Sequence, residues 1–398
     1  MWSVIFMKKR WSILTLILCM AVVTAGCKKV PKDGGSAGRT SNVNTTNSEE
    51  NEKQCRLDVL QPIAYGNVQG LNLEAGSTIS IIGRGSTSAY WSEVKEGAQQ
   101  AVDDINAMQG YKGNDKVKLN YSAPETENDV DDQVNILDEE LARYPVAVGV
   151  AAVDAGACEV QFDLAAENDI PVVAFDSGTD YHNIVSMIDT DNMEAATTAA
   201  NRLCDSIDDN GEVLLFVHDT KSTSAKEREK GFVDTISAKH PNVNIAEIYH
   251  LDELEMVQKE MNEAEKEDAE SQEDADAAES SITQEEAVQY ILEKHPDVKG
   301  IYTTNETAAK LVTGTLESMG KEEVKVVSFD GGKDQLQLLE DGKLEGLIVQ
   351  NPYGIGYATV VACARAVLGQ GNEAEVNAGY TWVSKDNMEK ESIKRMMY

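Results

Sequence analysis

From Thr78 onward, short apolar runs alternate with longer stretches whose apolar residues recur every three or four positions. Thr78–Ile82 predicts a strand, and Ser92–Met108 predicts a helix because its apolar side chains lie at helical spacing. Further strands are predicted at Lys116–Tyr121, Val146–Ala151, Pro171–Phe175, Glu212–Val217, Asn244–Tyr249, Gly300–Thr303, Val324–Ser328, Gly346–Gln350 and Tyr380–Val383. Further helices are predicted at Val130–Arg143, Cys158–Asn168, Ala195–Ser206, Ala225–Lys239, Thr283–Lys294, Thr307–Met319, Gln335–Asp341 and Gly356–Leu368. Strands separated by helices indicate parallel, doubly wound sheets, and their number predicts two α/β lobes.

The first residues of the chain have a different pattern. Lys8–Arg10 is basic, Trp11–Val23 is apolar, and the small residues Thr24–Gly26 lead into Cys27. The apolar run has the length of a signal peptide and is short for a membrane-spanning helix. The cleavage region resembles the bacterial lipobox, although Thr24 stands where that pattern prefers Leu. We therefore expect residues 1–26 to be a lipoprotein signal peptide and Cys27 to carry the lipid; a plain secretory signal with an incidental Cys is the alternative.

The segment after Cys27 is poor in apolar residues and rich in Lys, Gly, Ser, Thr and Asn as far as about Arg56. Such composition is typical of a flexible linker. We predict a tether over residues 27–77, which as a flexible coil would reach roughly 40 Å.

The charge of the chain excludes one class of partner. The 398 residues include 35 basic and 69 acidic side chains, for a formal net charge of −34. A protein that binds nucleic acid must neutralise phosphates with Lys and Arg, so no nucleic-acid partner is expected. Hydrophobic residues make up 41% of the chain, which is enough for a packed core.

Part of the acidity is concentrated in one segment. Residues 252–286 hold fifteen Asp and Glu against Lys259 and Lys266, a local charge of −13. Ala and Glu favour a helix, but the apolar periodicity is thin between Ala264 and Ala278. We interpret the segment as a solvated helical or partly disordered insertion; a specific partner site is the alternative.

Chemistry that would indicate an enzyme or a metal site is missing from the sequence pattern. There is no GxSxG or HExxH motif, and Gly83–Ser86 lacks the third glycine of a dinucleotide-binding loop. Asp189–Asn192 lacks the glycine and terminal Glu of a calcium loop and is interpreted as a turn between lobes. The four cysteines after Cys27 have no metal-ligand spacing and are expected to be buried free thiols: Cys55, Cys158, Cys204 and Cys363. No enzyme activity, cofactor or metal is therefore expected.

Polar and aromatic side chains instead follow the predicted strands, at the edge where open α/β sheets bind ligands. These residues are Ser88, Tyr90, Trp91, Asp176, Asn305, Asp330 and Gln350, and Arg228 in the helix Ala225–Lys239 joins them. Carboxylates and amides pair with adjacent hydroxyls, an Arg fork adds planar donors, and an aromatic face covers apolar C–H groups. The set is suited to a sugar or a similar neutral polyol.

Seven segments in order resemble the ribose/galactose class of periplasmic sugar-binding proteins, which share their fold with the ligand domains of LacI-type repressors. They are TISIIGRGSTSAYWSEVKEGAQ, NDIPVVAFDSGTD, MIDTDN, TSAKEREKGF, HPDVKGIYTTNE, VKVVSFDGGKD and VQNPYGIGY. The resemblance implies two Rossmann-like lobes, joined by three crossover segments, that close around the ligand by hinge motion. It places the first lobe at residues 78–190 and 351–381, and the second at 191–350 and 382–398.

The resemblance also implies roles for single residues. Ser88, Tyr90 and Trp91 occupy the places of an Asn and two aromatic contacts, and Asp176–Ser177 occupies that of an Asp-Arg pair. Losing that Arg argues against plain ribose as the ligand. The remaining family contacts correspond to Arg228, Asn305, Asp330 and Gln350.

Structural alternatives remain open for several of these residues. Trp91 and Tyr90 are candidates for helix packing alone, Asp330 for a helix N-cap, and Arg228 for a surface ion pair. Thr190 and Asp191 are expected at the hinge rather than at the ligand.

The resulting prediction is a monomeric solute-binding lipoprotein of an ABC importer, outside the cytoplasm on the outer face of the cell membrane. It would bind a sugar or polyol between its lobes and present the closed form to a membrane permease. The alternative is a sensor of the same fold that signals to a membrane kinase or chemoreceptor. A repressor is disfavoured because a secretion signal, and no helix-turn-helix, precedes the lobes.

Overall fold

The computed structural model describes residues 43–268 and 281–398, so the predicted signal peptide and Cys27 lie outside the described residues. The strands are β1 (Thr78–Ile82), β2 (Lys118–Ser122), β3 (Ala147–Val150), β4 (Val172–Phe175), β5 (Met187–Asp189), β6 (Gly211–Val217), β7 (Val243–His250), β8 (Val298–Thr303), β9 (Lys325–Phe329), β10 (Gly346–Gln350), β11 (Glu375–Asn377) and β12 (Tyr380–Val383). The helices are α1 (Val43–Asp58), α2 (Ala89–Gln109), α3 (Val130–Leu141), α4 (Glu159–Glu167), α5 (Asn192–Ser206), α6 (Thr223–Lys239), α7 (Leu254–Asp268), α8 (Gln284–Lys294), α9 (Glu306–Met319), α10 (Lys333–Glu340), α11 (Pro352–Val367) and α12 (Glu391–Lys394). Short 3-10 turns lie at Ile63–Gly66, Gly113–Asp115 and Leu251–Glu253.

The strands form two six-stranded sheets within one compact unit, Thr46–Tyr398. The first sheet has the order β11-β5-β4-β3-β1-β2 and is parallel throughout. The second has the order β12-β10-β9-β8-β6-β7, and only β12 runs antiparallel to its neighbour. We call each sheet with the helices packed on it the first and the second lobe. The α/β class is confirmed.

The chain crosses between the sheets at three places that lie side by side. The crossovers are Thr190–Asp191, Asn351, and Ala378–Gly379. Thr190 Oγ1 donates to Gln350 Oε1 at 2.8 Å, and Asn351 Nδ2 donates to the Ala378 carbonyl at 2.9 Å. The Ala378 amide donates to the Asp189 carbonyl at 2.6 Å. The three crossovers therefore form one hydrogen-bonded bundle between the lobes.

Two close helix pairs support the lobes, α2 on α11 in the first and α5 on α6 in the second. α2 begins at the N-cap Ser88 and ends at Gly110, whose φ of 70° suits a residue without a Cβ. In the first pair a Cβ at Gly97 would collide with the Tyr353 carbonyl, and one at Gly356 with the Val94 carbonyl. Glycine at both positions lets the two backbones approach.

The predicted tether over residues 27–77 is wrong for its second half. α1 occupies Val43–Asp58, and six apolar side chains from the end of α1 onward are buried in the first-lobe core: Leu57, Leu60, Tyr65, Val68, Leu71 and Leu73. These residues are spaced irregularly in sequence and are separated by polar ones, so no helical or strand periodicity signalled their burial.

The acidic insertion is only partly solvated. Val257 of α7 is buried, and Leu254 and Met261 pack on the same second-lobe core. This spacing puts one apolar stripe on the lobe, while the side chains of Glu255, Glu260 and Glu263 are exposed. α8 then begins with a capping box formed by Thr283 and Glu286. Residues 269–280 of the insertion lie outside the described part of the chain.

Two strands and one boundary differ from the sequence prediction. β5 and β11 were not predicted because three-residue strands carry no readable alternation. Tyr380 and Thr381, predicted in the first lobe, pair with Gln350 and Val349 of the second sheet.

Cys158, Cys204 and Cys363 are buried free thiols as predicted, whereas Cys55 is half-buried. None of the helices in the described ranges is long and apolar enough to cross a membrane.

The close approach of α2 and α11 yields a stability prediction. Gly356→Ala is expected to lower the free energy of unfolding by about 1–3 kcal/mol, because the new methyl group cannot fit against the Val94 carbonyl. The matched control is Gly314→Ala in α9, where a Cβ meets no atom within 4 Å. That control should raise stability by about 0.5–1 kcal/mol through helix propensity. Urea titration measures both; equal effects of the two substitutions would contradict the packing account.

Candidate functional site

A cavity of about 740 Å³ lies where the carboxyl ends of the strands of both sheets face each other. Its walls include all eight residues that the sequence analysis selected: Ser88, Tyr90, Trp91, Asp176, Arg228, Asn305, Asp330 and Gln350. The parallel strands explain this convergence, because every strand of a lobe but β12 ends at the same edge.

The first lobe supplies an aromatic wall from the start of α2. The rings of Trp91 and Tyr90 pack edge to face with centroids 5.2 Å apart. The Trp91 ring also packs edge to face against Phe175, with centroids 6.4 Å apart. Both side chains are more than 90% buried and still line the cavity. The Ser88 hydroxyl accepts a long hydrogen bond of 3.4 Å from the Trp91 amide, so it also caps α2. Packing and cavity lining are thus combined at this turn.

Each sheet contributes one carboxylate from an equivalent position. Asp176 follows Phe175 and Asp330 follows Phe329, in the similar sequences VVAFDSG and VVSFDGG. Both Asp residues have a left-handed backbone, with φ of 58° and 77°. Non-glycine residues rarely adopt this conformation, and it is found preferentially at functional sites. The repeated sequence is a signal that the sequence analysis missed.

The hydrogen bonds of the two carboxylates differ. Asp176 accepts a short hydrogen bond from the Tyr90 hydroxyl. Asp330 Oδ1 accepts from Gln350 Nε2 at 2.6 Å, and its Oδ2 accepts from the Glu306 amide at 3.1 Å. The N-cap of α10 is Gly332, so Asp330 does not cap the helix that follows it. It bonds instead to the first amide of α9.

Arg228 is an interior residue rather than a surface ion-pair partner. It is 4% exposed; its Nε donates to Asn192 Oδ1 and its Nη1 to the Thr304 carbonyl, both at 2.8 Å. Its guanidinium carbon lies 4.2 Å from the centre of the Phe329 ring. These contacts hold the planar donor group at the cavity wall.

Asn305 and Gln350 supply the amides. Asn305 Oδ1 accepts from the Ala308 amide at 2.9 Å as the N-cap of α9. Among the described residues its Nδ2 donates no hydrogen bond. Gln350 links Asp330 to Thr190 of the first crossover. The cavity wall and the crossover bundle therefore share a side chain.

Sequence reasoning missed a buried ion pair between the lobes. Arg84 follows β1 and Asp219 follows β6; Arg84 Nη2 lies 2.8 Å from Asp219 Oδ2, and both side chains are more than 90% buried. Asp219 also accepts from the Ser222 amide at 2.7 Å, and Arg84 donates to Asn128. The two residues are 135 positions apart in sequence, so no local pattern relates them. The available sequence signal was that each one follows the end of a predicted strand.

Burial shifts the pKa values of several ionisable side chains at the cavity. Burial raises the pKa of Asp330, although Arg228 and Gln350 oppose the shift. Burial also raises the pKa of Glu127, which lines the cavity beside Arg84, and that of Glu306. Burial, with the nearby charge of Asp176, raises the pKa of Tyr90 well above its usual range. Carboxylates held in a poorly solvated cleft favour ligands that bring hydrogen-bond donors to them.

His218 is the imidazole of this cavity. Its Nδ1 lies 2.7 Å from Thr304 Oγ1, and the side chain is buried. Burial lowers its pKa to about 3, against the opposing effect of Asp219. The imidazole is therefore neutral at physiological pH.

One group of metal-type side chains lies outside the cavity. Within the described ranges, ligand atoms of Cys204, Asp209 and His240 lie within 4.8 Å of one another. Hydrogen bonds explain this cluster: the two ring nitrogens of His240 lie 2.6 Å from Asp209 Oδ1 and 3.1 Å from Asn201 Oδ1.

Comparisons with known proteins agree with this architecture. The chain is 22% identical over 317 residues to the ribose import binding protein of Escherichia coli K12, covering 80% of this chain and 94% of that protein. It is 24% identical to the D-apiose import binding protein of Paraburkholderia graminis, covering 63% and 70% respectively.

Solved structures share the fold. A carbohydrate transporter solute-binding protein from Agrobacterium radiobacter, in complex with D-arabinose, superposes with a TM-score of 0.67 at 25% identity, covering 81% of this chain and 99% of that one. A solute-binding protein from Agrobacterium vitis with bound D-fucose gives a TM-score of 0.66 at 23% identity, covering 81% and 100%.

The family model of the periplasmic binding protein domain matches residues 79–371, which include strands β2–β10, all but the first residue of β1, and all eight predicted ligand-binding residues. The match extends over well more than half of the chain and spans both sheets. This chain is therefore a member of the periplasmic binding protein family.

Proposed function

We propose that the protein is the solute-binding component of an ABC importer, and that it binds a sugar or sugar-like polyol between its two lobes. The observation that carries the proposal is the convergence of two carboxylates, one Arg, two amides and an aromatic wall on one cavity. Relatives named as import binding proteins, and solved structures with D-arabinose or D-fucose bound, support the same class of ligand. They are named for binding and import, which agrees with the expectation that the chain is not an enzyme.

The chemistry of the walls suits a ring with several hydroxyl groups. Asp176 and Asp330, one from each lobe, can each accept from neighbouring hydroxyls, while Arg228 and the free Nδ2 of Asn305 donate. The Trp91 and Tyr90 rings cover the C–H face. In a largely dry cavity a missing hydroxyl leaves a polar group unpaired, which gives the site its stereochemical specificity.

The position after Asp176 supports the prediction that plain ribose is not the ligand. Ser177 is fully buried, and its hydroxyl donates to the Ala152 carbonyl at 2.6 Å. It points into the first lobe rather than the cavity, so nothing at this position replaces the donors of an Arg. The ligand should therefore receive no side-chain donor from position 177.

Ligand binding would be coupled to closure of the lobes. The Arg84–Asp219 pair joins the lobes beside the cavity and would be broken if they separated about the crossover bundle. A ligand that contacts Asp176 in one lobe and Asp330 in the other shifts the equilibrium toward the closed form. The closed form would be the one that a membrane permease recognises.

Anchoring through Cys27 completes the proposal. A lipid on Cys27 would hold the protein outside the cytoplasm at the membrane surface, with stable anchoring requiring more than one acyl chain. Because folded structure already begins in α1, the free linker would be shorter than the 27–77 tether predicted from composition.

The carboxylates offer the first test of ligand binding. Thermal-shift screening against pentoses, hexoses and inositols identifies the ligand, and calorimetry measures its Kd. Asp176→Asn and Asp330→Asn should each weaken binding about 10- to 100-fold, because each loses charge-assisted hydrogen bonds. Asp386→Asn, at an exposed site away from the cavity, is the control and should bind as wild type does. Failure of every sugar and polyol to bind would overturn the proposed function.

The ion pair between the lobes offers a second test. Arg84→Met and Asp219→Asn should each weaken ligand binding, since the closed form loses a buried interaction and retains an unpaired group. In a double-mutant cycle on Kd, the pair should show a coupling energy of about 1–3 kcal/mol. Strictly additive effects would mean that the two side chains do not act together in the closed form.

The buried imidazole predicts a pH dependence of stability. The folded-state pKa of His218 is about 3, below its usual 6.5, so between these values the unfolded chain takes up a proton that the folded protein does not. Stability is therefore lost as the pH falls from about 6.5 toward 3. His218→Asn should reduce the slope of unfolding free energy by up to about 1.4 kcal/mol per pH unit between pH 6 and 4. Exposed His182→Asn is the control for removing an imidazole, and equal slopes in both variants would contradict the assignment.

A further inference from the structure

The end of the chain returns from the second lobe to the cavity. α12 is followed by Arg395–Tyr398; Ile393 and Met397 pack against the second-lobe core. Tyr398 packs against both the first-lobe core around Trp91 and this second-lobe core. The segment thus lies across the boundary between the lobes.

Tyr398 contacts one cavity-forming element of each lobe. Its ring meets that of Tyr90 edge to face, with centroids 5.9 Å apart. Its hydroxyl accepts a hydrogen bond of 3.2 Å from the amide of Gly331, the residue after Asp330. Tyr90 in turn donates to Asp176, so Tyr398 lies behind both carboxylates of the site. Burial and the nearby negative charge of Asp330 raise the pKa of Tyr398 well above its usual range, so the hydroxyl stays neutral.

Arg56 of α1 holds the segment in place. Its Nε donates to the Arg395 carbonyl at 2.9 Å and its Nη2 to the Met397 carbonyl at 2.7 Å. Its remaining nitrogen pairs with Glu93, two residues after Trp91 on α2. One guanidinium thus joins three elements: α1, α2 and the segment that ends in Tyr398.

α1 is itself fixed to the lobes at two further points. Lys53 pairs with Glu96 of α2 at 2.6 Å. Asn351 of the crossover bundle donates to the Arg56 carbonyl at 2.7 Å. A continuous path of contacts therefore runs from the N-terminal helix through Arg56 and Tyr398 to Tyr90.

We propose that Tyr398 is a positioning residue of the ligand site, which fastens Tyr90 of the first lobe to the Asp330 loop of the second, and that Arg56 keeps it there. The proposal rests on the proposed function and adds a determinant of ligand retention outside the residues that line the cavity. When the lobes separate, Tyr398 must leave either Tyr90 or Gly331, because it contacts both. Its contacts therefore favour the closed form and slow the release of ligand.

Ligand kinetics test the proposal on the full-length chain with the sugar found by screening. Tyr398→Ala should raise the dissociation rate about 3- to 10-fold, the range expected for an aromatic contact, and leave the association rate within about twofold. Tyr398→Phe keeps the ring contact with Tyr90 but removes the hydrogen bond to the Gly331 amide, so its dissociation rate should lie between those of the wild type and Tyr398→Ala. Arg56→Met should act in the same direction as Tyr398→Ala. Tyr144→Ala, at a Tyr that is 74% exposed on the first lobe, is the matched control and should leave both rates unchanged.

Amide hydrogen exchange gives a readout that needs no ligand. In Tyr398→Ala and in Arg56→Met, exchange should become faster in the segments around Tyr90 and around Gly331, with the strand cores unchanged. Arg56→Met covers the case in which Tyr398→Ala fails to fold. Unchanged exchange in both segments, or wild-type dissociation rates in folded Tyr398→Ala, would overturn the proposal. If no sugar binds but exchange changes as expected, the fastening role of Tyr398 stands and the ligand class is wrong.

Discussion

The direction of the strands is the constraint on which the rest of this structure depends. Within each lobe the parallel strands end at one edge, and the three crossovers are only one or two residues long. Such short connections hold the two carboxyl edges opposite each other. Hydrogen bonds among Thr190, Gln350, Asn351 and Ala378 then tie the crossovers into one bundle. The cavity is the space that this geometry leaves between the edges.

Three charged side chains at the cavity wall are each held by specific partners. Arg84 meets Asp219 across the lobes, Arg228 is held by Asn192 and the Thr304 carbonyl, and Asp330 is held by Gln350. Buried ion pairs add little net stability, because desolvation offsets their attraction. They are costly to separate, however, so they select one arrangement of the lobes over others.

The N-terminal helix and the last residues of the chain add a second layer to this arrangement. α1 and the segment through Tyr398 meet at Arg56, beside the crossover bundle and behind the aromatic wall. Through Arg56, the N-terminal helix and the last residues of the chain are both joined to α2, which carries the aromatic wall of the ligand site.

Local pattern was sufficient for most of the fold. The alternation of apolar runs and helical spacing predicted nearly every strand and helix of four residues or more after Thr78, because period and burial are properties of neighbouring residues. The resemblance, together with polar residues at strand ends, identified eight side chains that the structure brings to one cavity. The repeated VVAFDSG and VVSFDGG segments were readable as well, and their equivalent Asp residues could have been paired from sequence.

What the tertiary structure alone decided depends on contacts between distant parts of the chain. The Arg84–Asp219 pair, the burial of six apolar side chains between positions 57 and 73, and the docking of Tyr398 each join segments with no local signal in common. For the buried apolar residues between positions 57 and 73, composition even predicted a flexible tether, since polar residues surround them in the sequence. Sequence by itself determined the elements and the chemistry at their ends, because both are encoded within a few residues. Only the packing of the whole chain decided which charged side chains pair with each other and which terminal segment supports the site.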